Sequence, residues 1–179
     1  MKRIILLFLV CFLILTTKKS FGQLHTIDIG FRFQKTVDLY YENGITAQYY
    51  LTRRWAIGAS YYTSKLGSAL SSNAIKQDNL VASGTYFFLP EKALKPFLRG
   101  SIGYFAANYE EAVFDNLPNS SAILAADAGL AYTFKIPLKL SLSIGYNAIT
   151  GSGDSGPGTL YPVFYQTSIT WNLSKLSTK

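Results

Sequence analysis

The 179-residue sequence has one cysteine, one histidine and one methionine, and only 15% of its residues are Asp, Glu, Lys or Arg. A single Cys cannot build a disulfide framework. The lone His25 has no Cys or carboxylate at metal-ligand spacing, so no metal site is expected. Soluble domains carry about a quarter charged residues, so the charge deficit points away from an ordinary water-facing surface. Long apolar runs are also lacking. The uncharged stretch from Ile4 to Thr17 is fourteen residues, short of the roughly 18–20 that a spanning helix needs. What is abundant is aromatic: 13 Tyr and 12 Phe in a chain that is 49% hydrophobic, a composition that excludes disorder.

The basic head Met1-Lys2-Arg3, the short apolar run and the small residues around Ser20-Phe21-Gly22 read as a secretory signal peptide over 1–22. A single domain over 23–179 follows. Cys11 lies inside the apolar run between Val10 and Phe12, which do not suit a lipoprotein cleavage site, so it leaves with the signal. The formal charge of +7 loses Lys2, Arg3, Lys18 and Lys19, leaving 13 basic and 10 acidic side chains after Gln23. No Lys/Arg stripe remains for phosphate neutralisation, and nucleic acid is excluded as a partner.

The rest of the chain alternates with period two, the mark of strands with two unlike faces. Eight strands are predicted, over 24–34, 44–51, 55–63, 79–89, 97–107, 122–134, 138–147 and 162–173. Strand 7 is the clearest: Leu138, Leu140, Leu142, Ile144 and Tyr146 oppose Lys139, Ser141, Ser143, Gly145 and Asn147. Strand 4 is apolar on both faces, and Leu80, Ala82, Tyr86 and Phe88 are taken as its outer set. Three connections are short (Thr52–Arg54, Pro90–Pro96, Lys135–Pro137) and four are long (35–43, 64–78, 108–121, 148–161). All six prolines fall in connections or at a strand's first residue, where no ladder bond is lost. This rhythm describes an all-β, eight-stranded antiparallel up-and-down barrel with both termini at the short-turn end.

The polar face is mostly Gly, Ser, Thr, Ala and Asn, which suits a crowded lumen rather than a water-facing surface. The bulky face suits lipid, making the barrel a transmembrane one. Tyr49, Trp55, Phe88, Phe97, Phe134 and Trp171 lie near the short-turn ends of strands. Tyr40, Tyr41, Tyr61, Tyr62, Tyr104, Tyr109, Tyr146, Tyr161 and Tyr165 lie near the long-loop ends. Two such belts are what amphipathic rings form at the two bilayer interfaces.

These strands, and the aromatic-rich last one from Phe164 to Leu173, resemble the small outer-membrane β-barrels of Gram-negative bacteria, nearest to the OmpA- and OmpX-like eight-stranded group. The resemblance spans residues 23–179 and is architectural. It implies an outer-membrane location, a lipid bilayer as surroundings, a monomer, and folding by the barrel-assembly machinery. Many members of the group end on an aromatic residue; here Ser174–Lys179 follow Leu173, so the assembly signal is expected to be internal.

Five charges fall on the predicted inner face: Asp28, Arg32, Arg99, Asp127 and, near the short-turn rim, Lys139. Buried charges need partners. Arg99 and Asp127 sit on neighbouring strands, and Arg32 is placed to reach Gln166 across the seam between strands 1 and 8. A structural polar plug is the expected role, and a gate in a solute path the sharper alternative. Barrel enzymes of this type use His near the outer leaflet, whereas His25 opens strand 1 at the opposite end. No catalytic residue and no cofactor is therefore expected. Glu110, Glu111 and Asp115 read as a solvated acidic loop, and Gly151–Gly158 as a loop tip with no phosphate-binding Gly-Lys-Ser/Thr. The short turns carry Arg53, Arg54, Lys92, Lys95 and Lys135 against Glu91. The long loops carry Asp38, Glu42, Asp78, Glu110, Glu111, Asp115 and Asp154 against Lys35, Lys65 and Lys76. The expected role is an envelope scaffold, or display of the four long loops to an extracellular ligand. A narrow porin-like channel is the alternative, and a soluble lipocalin-like carrier the second.

Overall fold

A computed structural model describes residues 26–36, 41–64, 75–109, 119–150 and 162–173. Residues 1–22, expected to be a signal peptide, together with His25, Tyr40, Tyr161 and the expected acidic and Gly-rich loops, lie outside the described residues. Eight antiparallel strands, β1 (Ile27–Thr36), β2 (Tyr41–Tyr50), β3 (Trp55–Thr63), β4 (Ile75–Phe87), β5 (Leu94–Tyr109), β6 (Ser120–Thr133), β7 (Leu138–Thr150) and β8 (Val163–Asn172), close into a barrel in chain order. Each strand pairs with its sequence neighbours, and β8 returns to β1 from Asp28↔Asn172 to Thr36↔Phe164. No edge is left unpaired, which is what a bilayer without water demands of a sheet.

The closure is staggered. The Thr26 carbonyl accepts from the Tyr50 N–H, and the pairs Tyr50↔Ala56, Ala56↔Thr85, Thr85↔Arg99, Arg99↔Asp127, Asp127↔Gly145 and Gly145↔Phe164 return to β1 at Thr36, ten residues further on. That stagger tilts the strands and leaves an interior that side chains alone can fill.

Period-two alternation sorts the residues. Leu80, Ile102 and Leu124 point outward at 66%, 66% and 63% exposure, with Phe31, Ile45, Leu142 and Ile144 on the same face. Exposed apolar area on that scale, encircling a molecule whose polar residues are inside, is what hydrocarbon solvates and water does not. Strand 4 follows the same rule, with Leu80 and Ala82 exposed and Val81, Thr85 and Phe87 buried. Tyr49, Trp55, Phe88, Phe134 and Trp171 line the outer surface toward the short turns, where Trp55 packs on Tyr86 at 4.9 Å and Tyr132 on Phe134 at 4.8 Å. Tyr41, Tyr61, Tyr104, Tyr146 and Tyr165 are exposed toward the other end.

Several expectations need correction. Tyr62 and Phe97, assigned to the belts, are 3% and 4% exposed and lie inside the barrel. Each shares parity with an inward residue, Ser60 or Arg99, and a strand cannot turn one side chain outward without a bulge. Most strands reach further toward the long-loop end than their alternation showed, so the connection expected over 35–43 shrinks to 37–40. Glu42 and Asp78 are thus strand residues rather than loop acids: Glu42 is 2% exposed in the lumen, and Asp78 accepts a 2.9 Å bond from the Tyr61 hydroxyl. Pro96 also falls within a strand, at the third position of β5. It is tolerated because it lies beyond the last β4 pair, Phe87↔Phe97, where the β4 side uses only its carbonyl, which accepts from the Phe88 N–H at 2.9 Å.

Candidate functional site in the barrel lumen

Among the described residues the inward face carries six buried charges, Asp28, Arg32, Glu42, Arg99, Asp127 and Lys139, three of each sign. They fall into groups along the barrel, separated by apolar rings.

At the short-turn end the Lys139 ammonium from β7 donates to Asp28 Oδ2 of β1 at 2.8 Å and to Gln48 Oε1 of β2 at 3.0 Å, with a further bond to the Tyr50 hydroxyl. Asp28 also accepts from Tyr50 at 3.0 Å and, through Oδ1, from Asn172 of β8 at 2.6 Å. One carboxylate thus ties β1, β2, β7 and β8 together across the closing seam. Lys139 also stands 5.6 Å from the Phe87 ring centre, within the range of a cation–π contact.

Above this floor Ala56, Phe87, Phe97 and Ala131 form an apolar ring. Arg99 lies over the Phe97 ring at 5.3 Å and grips Asp127 with two bonds, Nε to Oδ2 at 2.8 Å and Nη2 to Oδ1 at 2.7 Å. The two residues are direct register partners on β5 and β6, so the bidentate fork is set by sheet pairing rather than by loop conformation. Ser143 on β7 takes a third, longer bond from Arg99 at 3.3 Å. A gap of about 10 Å³ is lined by Gln48, Thr85, Phe87, Phe97, Arg99, Lys139 and their neighbours, room for one water at most.

Arg32 stacks on the Tyr62 ring at 4.8 Å and donates to Ser60 at 3.3 Å and Gln34 at 3.4 Å. The expected reach from Arg32 to Gln166 is not made: Gln166 stands opposite Gln34 in the register, and its Oε1 finds no partner among the described residues. A second, larger apolar cluster of Tyr62, Val81, Phe105, Ile123, Ala125 and Phe164 fills the long-loop half. Inward glycines make room for these rings. A Cβ on Gly145 would come 2.4 Å from Phe164 Cζ, and one on Gly129 would come 2.8 Å from Phe97 Cζ. Toward the long-loop end Glu42 accepts amide bonds from Gln34 at 2.9 Å and Asn79 at 2.5 Å, and Gln77 donates to Asn79 at 2.7 Å.

Sequence reasoning named Asp28, Arg32, Arg99, Asp127, Lys139 and Gln166; it missed Glu42, Asn79 and the part played by Tyr50. Glu42 precedes Asn43-Gly44, which reads as a turn, and only the pairing Gln34↔Glu42 reveals a strand. Among the described residues no three His, Cys, Asp or Glu side chains cluster as metal ligands.

The fold has close counterparts among solved structures. The N-terminal β-barrel domain of Pseudomonas aeruginosa OprF superposes with a TM-score of 0.62 at 16% identity, over 84% of this chain and 98% of that one. Neisserial surface protein A gives 0.54 at 17% identity, over 82% and 93%. P. aeruginosa outer membrane protein OprG gives 0.56 at 14% identity, over 85% and 97%. No family model and no curated protein matches the sequence. The chain has the fold of the eight-stranded outer-membrane β-barrels.

Proposed function

We propose that the protein is a non-catalytic, non-conducting barrel of the bacterial outer membrane, which anchors to the envelope and displays its long connections, within 64–78, 108–121 and 148–161, to partners outside the cell. The observation that carries this reading is the filled lumen. Two apolar layers, one around Phe87 and Phe97 and one around Phe105 and Phe164, close it above and below the Arg99–Asp127 pair. A water-filled path would need a polar, open section at every level, as in larger barrels. With the interior committed to packing, what remains free to vary without cost to the barrel is the set of connections. On this reading the short-turn end faces the periplasm, and the polar network of Asp28, Arg32, Arg99, Asp127, Lys139 and Gln166 is structural.

The mature sequence contains no Cys, so engineered thiols report orientation cleanly. Asn119→Cys at the long-loop end and Lys92→Cys at the short-turn end, both exposed, are treated in intact cells with a membrane-impermeant maleimide. Labelling of Asn119→Cys alone, with both labelled after lysis, is the expected result. Labelling of Lys92→Cys in intact cells, or recovery of the protein in the periplasm without detergent, overturns the proposal.

A further inference from the structure

Two glycines on the outer face answer to nothing in the barrel's own packing. Gly84 on β4 and Gly100 on β5 are direct register partners, and both are exposed. A Cβ on either would meet nothing within 4 Å, whereas one on Gly103, Gly129 or Gly145 would collide with neighbouring atoms. A glycine weakens a strand and often marks a close approach by a ligand or another backbone. Here the approach has to come from outside. Ala47, Ala59 and Ala82, paired in one row across β2, β3 and β4, extend the small outward residues beyond the two glycines. Together they sink a groove of about 620 Å³ into the outer surface, walled by Ile27, Ile57 and Ile102 and lined by no charged residue.

A cation stands at the short-turn edge of this groove. Trp55 and Tyr86, two residues from Ile57 and Gly84 on the same strand faces, bring their rings 4.9 Å apart there. The half-buried Arg54, in the turn before β3, donates from Nη1 to the Tyr86 hydroxyl at 3.2 Å. Its Nε and Nη2 have no partner among the described residues, and no carboxylate there engages it. Glu91 instead holds the neighbouring Arg53, at 2.5 Å. A guanidinium with that edge open suits the forked recognition of a phosphate.

These features select among occupants. A second copy related by a twofold axis would present the same surface, which offers Arg54 no acid. A wholly apolar molecule would leave the guanidinium unused. A glycerophospholipid supplies both parts: a chain for the groove and a phosphate at the level where belt aromatics meet the headgroups.

We propose that this face of the barrel holds one anionic glycerophospholipid of the surrounding leaflet, its acyl chain lying over Gly84 and Gly100 and its phosphate forked by Arg54. A zwitterionic headgroup brings its own ammonium to compete for that phosphate, so the anionic class is favoured. The inference rests on the membrane reading above, but needs neither a closed lumen nor a ligand for the loops.

For the test, the protein is refolded into phosphatidylcholine vesicles, with heat-modifiable gel migration as the check on folding. Trp171→Phe leaves Trp55, at the groove's edge, as the only tryptophan. Its fluorescence is followed as brominated phosphatidylglycerol, or brominated phosphatidylcholine as the reference, replaces part of the bulk lipid. Phosphatidylglycerol should reach half-maximal quenching at an about fivefold lower mole fraction, the effect of one cation near a lipid surface. Arg54→Gln should bring the two curves together. Gly84→Leu with Gly100→Leu, which fills the groove where a Cβ meets open space, should do the same. Equal curves in the parent protein would overturn the site and leave the membrane reading standing; no quenching by either lipid would overturn both. A preference that survives Arg54→Gln would overturn the site as well, making the basic short-turn end as a whole the attractor. A chemical cross-link between copies that disappears in the leucine variant would make a second copy the occupant.

Discussion

Two buried ion pairs of opposite design sit about one apolar ring apart. Arg99 and Asp127 are direct neighbours in the sheet, and both carboxylate oxygens are taken by one guanidinium, with side chains 4% and 1% exposed. Lys139 and Asp28 reach across β8, share their bonds with Tyr50, Gln48 and Asn172, and border the open concavity at the short-turn mouth. The first pair is a rivet within the wall, closed to water and dependent on its single partner. The second is a branched tie across the seam, in which each charge has alternatives. The difference teaches that burial alone does not set what an ion pair contributes; the number of substitutes for a lost partner does.

Removing one member of the closed pair should therefore cost most. Asp127→Ala leaves Arg99 buried with Ser143 as its one remaining hydrogen-bond partner, and a loss of about 3–5 kcal/mol is expected, read as a shift in urea-unfolding midpoint in lipid vesicles. Lys139→Met should cost less, about 1–3 kcal/mol, because Asp28 keeps the Tyr50 and Asn172 donors and the open mouth admits water. Equal losses in the two variants would erase the distinction. At the rim Arg53→Ala breaks a third pair, to a Glu91 side chain that is 63% exposed. Its effect should lie within about 0–1 kcal/mol and shrink further with added salt.

Much of this was legible in the sequence. Strand number, topology and the outward set follow from period-two alternation, because a bilayer outside and packed side chains inside impose opposite chemistry on successive residues. The facing of Arg99 toward Asp127 followed from adjacent strands. Three things were not legible. Strand ends were hidden where polar residues continue a strand toward the long-loop end, as at Tyr41–Asn43 and Lys76–Asp78, since hydropathy alternation fades there while backbone pairing does not. Tyr62 and Phe97 were drawn to the surface by their position near strand ends, although their parity already placed them inside. Contacts across the closed interior, such as Lys139 with Gln48, depend on a ten-residue stagger set by the whole circuit of pairs, which no single strand carries.

The proposed role requires a plugged lumen. Single-channel recording in planar bilayers tests it most directly, comparing the wild-type barrel with a variant in which Phe105→Ala and Phe164→Ala empty the larger apolar cluster and Phe97→Ala thins the smaller one. Silent wild-type bilayers and stepwise currents from the emptied, heat-modifiable variant are the expected results. Stepwise currents from the wild-type protein itself would contradict the account.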